Sequence, residues 1–474
     1  MNDADLLGDQ EVDPFSIVRH FAEDQHLDEL PSLSGHRSDQ KSLRVLKPVS
    51  ADERIWDSFQ DLLHKPWWSR LWCVQECLLS SAAVVVLGRW RIAWKIAKIC
   101  QTNYQRHAST CCSSISGSVP EKYALYTNVL VDHFYLDSSH HAGVRPELNS
   151  NLDLLLRSFT DRQCSDPRDK VYGILGLIDK SRYPDLVVDY TLSTGSVYTG
   201  AMKSMLVGGD GDLRCLTGLG LNSANHNLPS WARDFEHNPD IPALSYELAR
   251  FRRYELYDAA YSTKASPSFH NSNTLSLSGV LVGKIHGVGV AVQSRSWPHV
   301  GQVLQQWQDM VGFNDSSFLL EENWRQSEAE TFWRMIVADA LAEGDTKPRR
   351  LSHIDMKNMR LWVTVLVDAL RNGRSPHVEE WSKSMFSAIH GRALFLTHQR
   401  TIGLCYPESQ VGDEVWVLLG SRVPFILRTC QELHQESASI QSDYKLVGSC
   451  YLDGYMDGKA IQDASSRIQN IHIR

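Results

Sequence analysis

The chain has 474 residues, enough for about three domains of roughly 150 residues each, so a single small module is excluded. Apolar residues make up 42% and charged residues 22% of the chain, as is typical of a folded globular protein. The 48 basic and 56 acidic residues give a formal net charge of -8, which disfavours nucleic acid or an anionic membrane surface as a partner.

Apolar residues at helical spacing predict that the N-terminal and middle regions are mainly helical. Residues 1–51 are expected to be weakly structured apart from one amphipathic stretch at 14–30. The β-branched run at 83–88 predicts one buried strand. Helices are predicted at 52–64, 67–79, 92–104, 121–136, 152–159, 171–178 and 194–206.

Residues 207–273 are rich in Gly and polar residues, and we expect a long connector there. After this point the apolar residues alternate as in strands, and 275–283 with 288–292 predict a hairpin. Further helices are predicted at 300–311, 323–341, 356–370 and 378–389, and short strands at 393–397, 401–405, 414–419, 425–428 and 444–451. Short strands separated by turn residues at this spacing favour a small β-barrel. The predicted fold class is therefore α+β, with a C-terminal small β-barrel that contains a helical insertion.

Common catalytic and phosphate-binding signatures are missing from the sequence. Gly287-x-Gly289 lacks the third glycine of a dinucleotide motif, and no P-loop, nucleophile elbow, zinc-binding helix or EF-hand motif is found. The longest apolar run, at 82–87, is far shorter than the roughly 20 residues of a membrane-spanning helix. The acidic first residues do not resemble a signal peptide. We expect a cytoplasmic protein with no membrane partner.

The ten cysteines are scattered, and we expect reduced thiols. The neighbours Cys111 and Cys112 have a poor geometry for one tetrahedral zinc ion. Buried thiols and loop histidines are the favoured interpretation, so no metal is predicted. The alternative is a metal site drawn from Cys111, Cys112, His133, His140, His141 and Cys164.

The most unusual segment is Pro66-Trp67-Trp68-Ser69-Arg70-Leu71-Trp72-Cys73-Val74-Gln75-Glu76. The four-residue spacing of Trp68 and Trp72 predicts that both lie on one face of a helix. In a purely structural interpretation, this pair packs the helix onto the following strand, and Arg70 pairs with a carboxylate.

This segment resembles the end of the HET (heterokaryon incompatibility) domain of filamentous fungi, which closes on an R-x-W-x-x-Q-E helix. Its counterparts here are Arg70, Trp72, Gln75 and Glu76, preceded by Trp68. Later segments resemble further family blocks in the same order, so that the resemblance covers residues 52–460. Among them are Asp166-Pro167-Arg168-Asp169, Asp189-Tyr190, Pro229-Ser230-Trp231 and Gly412-Asp413.

These later blocks also have structural interpretations. The acidic residues around Pro167 suit the capped start of a helix. Gly412-Asp413 suits a tight turn.

The resemblance implies a domain organisation. We expect a C-terminal remnant of a HET domain, a fold related to TIR domains, at 52–115, a helical region at 116–215 and a connector at 216–273. The barrel module would occupy 274–474, with its helical insertion at about 297–390. The family's S-Y-x-W-G and W-I-D-x-x-C-I-x-Q blocks are not found in residues 1–65. The HET domain is therefore expected to be truncated, through a gene model that starts late or because the chain is a truncated paralogue.

The resemblance also implies a function in fungal nonself recognition and programmed cell death signalling, with other proteins or a second copy as partners. In NAD-cleaving TIR domains, a W-C-x-x-E helix like Trp72 to Glu76 carries the catalytic carboxylate. Glu76 is thus the catalytic candidate and Trp72 a pocket wall, with NAD as substrate and no cofactor. Positioning a nucleotide takes loops from several strands, so a structural role for Glu76 is favoured. A non-enzymatic scaffold or regulatory remnant is the alternative function.

Overall fold

The computed structural model describes residues 12–30, 51–80, 82–112, 151–218, 225–237, 241–271, 273–312, 328–341, 348–371, 379–430, 443–463 and 467–474. The chain divides into two compact units, Met1–Asp179 and Lys180–Arg474. Within the described ranges, no helix combines the length and the apolar character needed to cross a membrane. The finer domain boundaries given above stay predictions.

The described residues of the first unit form helices and an antiparallel hairpin, which turns at Gly88 with a φ of +57°. Only glycine adopts this conformation without strain, which explains the residue at the turn. Its helices are α1 (Ser16–Ala22), α2 (Ala51–Leu63), α3 (Trp72–Leu78), α4 (Trp94–Ser109), α5 (Leu152–Ser158) and α6 (Asp169–Tyr172), and its strands are β1 (Val84–Leu87) and β2 (Trp90–Ala93).

Aromatic residues form much of the core of this unit. The rings of Trp68 and Trp94 stack with their centroids 6.2 Å apart and an interplanar angle of 24°. The Trp68 indole N–H donates to the carbonyl oxygen of Leu62 at 2.7 Å, so its polar atom is satisfied inside the core. Phe21 of α1 and Tyr104 of α4 meet edge to face at 5.1 Å. These contacts fix α1, α2 and α4 around one apolar centre.

The single helix predicted at 67–79 is wrong, because the structure has two shorter elements there. A 3-10 turn at Pro66–Ser69 ends at Arg70, whose backbone is extended, and α3 begins at Trp72. The cause is a parallel bridge to Gln163, which donates to Ser69 O at 2.6 Å and accepts from Leu71 N–H at 2.9 Å. An extended residue is needed to make both bonds. Trp68 and Trp72 therefore do not share a helical face.

Two other helices were predicted in this unit, at 92–104 and at 121–136. The helix predicted at 92–104 begins only at Trp94, because Trp90–Ala93 pairs as a strand. The helix predicted at 121–136 lies outside the described residues.

The second unit combines helices with a nine-stranded sheet. Its helices are α7 (Thr194–Gly208), α8 (Ile241–Arg253), α9 (Trp297–Val311), α10 (Glu328–Ile336), α11 (His353–Arg371), α12 (Glu379–Ile389) and α13 (Lys459–Gln462). Its sheet strands are β3 (Ser268–His270), β4 (Thr274–Val288), β7 (Ala393–Thr397), β8 (Ile402–Cys405), β9 (Glu414–Leu418), β10 (Phe425–Cys430), β11 (Asp443–Ser449), β12 (Tyr451–Leu452) and β13 (Gln469–Ile473). A separate two-stranded pair, β5 (Ala340–Leu341) and β6 (Arg349–Arg350), lies between α10 and α11.

The long strand β4 is the centre of this sheet. Its first part pairs with β3 and β13, its middle with β9 and its end with β7, all antiparallel. β13 then runs parallel to β11, which pairs with β10, and β10 pairs with β9. The pairings therefore run in a ring from β4 through β13, β11, β10 and β9 back to β4. β7, β8 and β12 extend the sheet from the far end of β4.

The α+β class is confirmed, and so are three of the helices that separate β4 from β7, within about three residues at the described ends. The helix predicted at 323–341 is wrong at its end, because it stops at Ile336 and Ala340–Leu341 pairs as β5. The predicted hairpin at 275–292 is wrong, because residues 274–288 form one strand. Gly283 and Gly287 lie at bulges rather than in a turn, with register shifts at Leu281/Gly283 and Ile285/Gly287. The predicted connector contains α8, and β13 was not predicted.

Candidate functional site

Two sequence blocks about 95 residues apart pack directly against each other in the first unit. The Trp72 indole N–H donates to the Asp169 carboxylate at 3.3 Å. The Gln75 amide donates to the carbonyl oxygen of Gly173 at 2.6 Å. Both donors lie on α3, and both acceptors lie on or next to α6. Trp72 and Gln75 of α3 thus make contacts within the unit.

Asp166 and Asp169 lie at the start of α6 as predicted, but the N-cap residue is Arg168 and its side chain makes no capping hydrogen bond. Asp166 accepts from the backbone N–H of Arg168 at 3.0 Å and from its guanidinium at 2.7 Å. The Arg168 hydrogen bond lowers the pKa of Asp166 below its usual value. Pro167 occupies the turn before the helix, and its carbonyl accepts from Lys170 N–H at 3.1 Å. Asp166, Pro167 and Arg168 form a pre-organised helix start that places Asp169 under Trp72.

α3 packs so closely against the segment that follows α6 that this segment needs glycine at two positions. A Cβ atom at Gly176 would lie 2.6 Å from the side-chain oxygen of Gln75. A Cβ atom at Gly173 would lie 2.8 Å from both the backbone oxygen of Asp169 and the Leu71 side chain. Both glycines are therefore explained by the packing of the two blocks.

The predicted catalytic residues lie on α3 but outside its buried face. The side chains of Arg70 and Glu76 are exposed, and Trp72 is 38% exposed. The pKa of the Cys73 thiol is raised, first by burial and then by the nearby Glu76 carboxylate. The cavity beside the buried face of α3 has a volume of about 10 Å³. Pockets that bind small molecules have volumes of roughly 300–1,000 Å³, so this cavity is far too small for a nucleotide.

The Pro229-Ser230-Trp231 block anchors the sheet of the second unit. Ser230 N–H donates to the carbonyl oxygen of Arg474 at 3.0 Å, and the Ser230 hydroxyl accepts from Leu446 N–H at 2.9 Å. Trp231 is fully buried, and its indole N–H donates to Asn273 O at 2.9 Å. Pro229 opens the turn, with its carbonyl accepting from Ala232 N–H. This block ties β11, β13 and the start of β4 together.

Gly412-Asp413 forms the predicted tight turn before β9. Gly412 has a φ of +94°, and its N–H donates to Ile285 O at 2.9 Å, while Ile285 N–H donates to Asp413 O at 2.8 Å. The buried Asp413 carboxylate accepts from the Arg428 guanidinium at 2.7 Å and 2.9 Å. The turn thus joins β4, β9 and β10.

A buried charge cluster that was not predicted lies between α8 and the sheet. The Glu247 carboxylate accepts from Arg250 at 3.1 Å and from the Tyr406 hydroxyl at 2.8 Å, and Arg392 lies 3.9 Å away. Burial alone would raise the pKa of Glu247, but the two guanidinium groups outweigh it and lower the pKa to about 2. The adjoining cavity has a volume of about 30 Å³, against roughly 300–1,000 Å³ for small-molecule pockets.

A second unpredicted group lies at the end of α4, in the first unit. The ligand atoms of His26, His107, Cys111 and Cys112 all lie within 4.8 Å of one another. Cys111 and Cys112 belonged to the alternative metal set. His133, His140 and His141 of that set lie outside the described residues, and Cys164 is not part of this group. One local signal was available, because His107 and Cys111 are four residues apart at a helix end.

Comparisons with known proteins support the family resemblance seen in the sequence. Residues 372–469 match the family model of the Het-6 beta-barrel domain. The chain is 22% identical over 471 residues to heterokaryon incompatibility protein 6, OR allele, of Neurospora crassa, in an alignment that covers 86% of this chain. It spans 66% of the relative's length, slightly less than two thirds. No solved structure gives a significant match. The domain match and this relative both support the resemblance of the chain to the heterokaryon incompatibility (HET) family.

Proposed function

We propose that this protein acts in fungal heterokaryon incompatibility, as a cytoplasmic nonself recognition protein that signals programmed cell death through protein partners. The observation that carries the proposal is the similarity to the Neurospora crassa heterokaryon incompatibility protein over 86% of this chain. The Het-6 beta-barrel match at 372–469 supports the same assignment.

The local geometry supports a role in protein interaction rather than in catalysis. Trp72 and Gln75 are engaged with Asp169 and Gly173, so two of the most distinctive motif residues hold the first unit together. Glu76 is exposed on a helix of only seven residues and does not line the small cavity beside the buried face of α3. A carboxylate catalyses glycosidic cleavage only where the substrate is positioned against it. The scaffold interpretation therefore fits this part of the chain better than NAD cleavage does.

The arrangement of strands supports the barrel part of the fold prediction. Each of β4, β9, β10, β11 and β13 pairs with two others of the set, which removes free strand edges from the ring. In our proposal this ring is a small closed barrel that presents surfaces to a partner protein.

The test is inducible expression of the full chain in a panel of Neurospora crassa wild isolates. We expect slowed colony growth and dye uptake by dying hyphae in some isolates and not in others, because nonself recognition depends on the genotype of the partner. The Trp72→Ala/Gln75→Ala variant, which loses both contacts to α6, should relieve the growth defect. Ile99→Ala on α4, where Ile99 is 44% exposed, is the matched control and should keep it. Normal growth in every isolate, at a protein level verified by immunoblot, would refute the proposal.

A further inference from the structure

The four side chains at the end of α4 have the spacing of tetrahedral metal ligands. The Cys111 and Cys112 sulfur atoms are 3.8 Å apart. His26 Nδ1 lies 3.4 Å from each sulfur, and His107 Nδ1 lies 3.0 Å from Cys111 Sγ. These four distances connect all four residues through atoms that can bind a metal.

The distances can be compared with those of a zinc site. With Zn–S of about 2.3 Å and Zn–N of about 2.1 Å, tetrahedral geometry separates two sulfurs by about 3.8 Å and a sulfur from a nitrogen by about 3.6 Å. The S···S distance and both His26 distances agree within about 0.2 Å. Only the His107–Cys111 distance is shorter, and a small rotation of either side chain would open it.

His107 also has the partner that zinc-bound histidines usually have. Its Nε2 lies 2.9 Å from the Asp24 carboxylate, which leaves Nδ1 directed at the cysteines. A carboxylate on the far nitrogen orients a ligating imidazole and increases its basicity. Asp24 in turn forms an ion pair with Arg106, which balances its charge.

Local backbone hydrogen bonds place the four residues. His107 and Cys111 are four residues apart across the last turn of α4, and Cys112 N–H donates to His107 O at 2.8 Å. His26 precedes a short 3-10 turn, where its N–H donates to the Glu29 carboxylate at 3.0 Å and its carbonyl oxygen bonds to His20 at 2.9 Å. Both halves of the site are therefore fixed by local hydrogen bonds.

The charge and burial of the group favour a divalent cation. His107 and Cys112 are buried, at 4% and 2% exposure. His26 is partly buried and Cys111 is exposed, so the group lies at the edge of the core. Two thiolates and two neutral imidazoles carry a charge that one divalent cation cancels, so the occupied site would be electrically neutral. Two sulfur and two nitrogen ligands in a tetrahedron select zinc over magnesium or calcium, which prefer oxygen.

We propose that His26, His107, Cys111 and Cys112 bind one zinc ion that ties the N-terminal segment 12–30 to the end of α4. Four protein ligands fill the tetrahedron and leave no position for a substrate, so the role is structural. The ion would join residues 86 positions apart in the chain, and its binding energy would contribute to the folding of the first unit. The inference stands independently of the proposed function, and it differs from the prediction of no metal, which rested on the poor geometry of adjacent cysteines.

Metal analysis of the full chain, expressed with zinc in the medium and purified without chelators, tests the proposal directly. We expect about one zinc ion per chain, and visible absorption typical of tetrahedral cobalt after exchange for Co²⁺. Cys112→Ser and His107→Gln should lose the metal. Cys164→Ser, which changes a half-buried thiol outside the group, is the matched control and should retain it. Asp24→Asn should weaken zinc affinity by about 10–100-fold in competition with a chromophoric chelator.

A second measurement covers the case in which the ligand variants do not fold. Removing zinc from the unaltered chain with a chelator should increase hydrogen exchange in peptides from residues 16–30, and added Zn²⁺, but not Mg²⁺, should restore protection. The proposal is overturned by a folded chain that binds neither zinc nor tetrahedral cobalt, or by Cys112→Ser that keeps full zinc content. It is equally overturned by a Cys111–Cys112 disulfide in the freshly purified chain, seen as a mass lower by two hydrogens.

Discussion

The buried Glu247 carboxylate offers a quantitative test of what stabilises the second unit. A pKa lowered from 4.5 to about 2 corresponds to about 3 kcal/mol of stability at neutral pH, at about 1.36 kcal/mol for each pKa unit. Glu247→Gln removes the charge but keeps the size of the side chain, and it leaves Arg250 and Arg392 buried without their carboxylate. Breaking a buried pair in this way costs roughly 3–5 kcal/mol. We therefore expect the free energy of unfolding of the second unit to fall by about 3–5 kcal/mol at pH 7.

The pH dependence has a defined sign. The pKa of Glu247 is lower in the folded state, so its contribution is fully present above about pH 4.5 and is lost as the pH falls towards 2. The stability difference between the unaltered chain and Glu247→Gln should therefore narrow between about pH 5 and pH 2. Urea-induced unfolding, followed by pulsed hydrogen exchange and mass spectrometry of peptides from residues 414–430, reports on this unit alone.

The matched control is Glu255→Gln. Glu255 is 64% exposed and lies 3.3 Å from Arg214, and such surface pairs contribute less than about 1 kcal/mol. A loss below about 1 kcal/mol for Glu247→Gln, or a difference that does not change with pH, would refute the reasoning.

Three further predictions concern single residues. Gly403→Ala should destabilise the second unit by about 1–3 kcal/mol in the same urea assay, because the new Cβ would lie 2.2 Å from Tyr451 O and 2.5 Å from the Phe395 ring, both held in paired strands. Gly200→Ala, in α7 with nothing within 4 Å, should instead stabilise it by about 0.5–1 kcal/mol, and equal effects of the two changes would contradict this packing. Purified chain incubated with NAD should release no nicotinamide above background, with or without Glu76→Gln; release that Glu76→Gln abolishes would assign catalysis to Glu76.

Much of the strand and helix pattern of the second unit could be predicted because its periodicity is local. β7 is predicted with its ends as observed, and α12 within one residue. The sequence predicts a hairpin where β4 is one long strand, because glycine in a sequence indicates either a turn or a bulge. A Cβ at Gly279 would lie 2.8 Å from Val417 O, so this glycine allows a close approach of β9 and does not end the strand.

The long-range contacts of the candidate sites could not be predicted from spacing. Trp72 and Gln75 were singled out, but their partners lie 97 and 98 residues further along the chain. The break at Arg70 depends on the bridge to Gln163, which no local pattern indicates. His26 is likewise 86 residues from Cys112, so sequence spacing gives no sign that they meet. The sequence identifies these residues by their type, but which of them contact each other is decided by the tertiary fold.

The position of β4 in the chain determines when the sheet can fold during synthesis and which fragments of the chain can contain it. β4 leaves the ribosome long before β7, β9 and β13, which pair with it, and the contact from Ser276 to His472 spans 196 residues. The ring of strands can assemble only after the last few residues have emerged, which makes its formation slow and dependent on chain completion. A fragment cut at the matched family boundaries, 372–469, would also lack its central strand and expose the edges of β7 and β9. The shortest piece of this chain that contains the whole ring must begin before Thr274 and include Ile473.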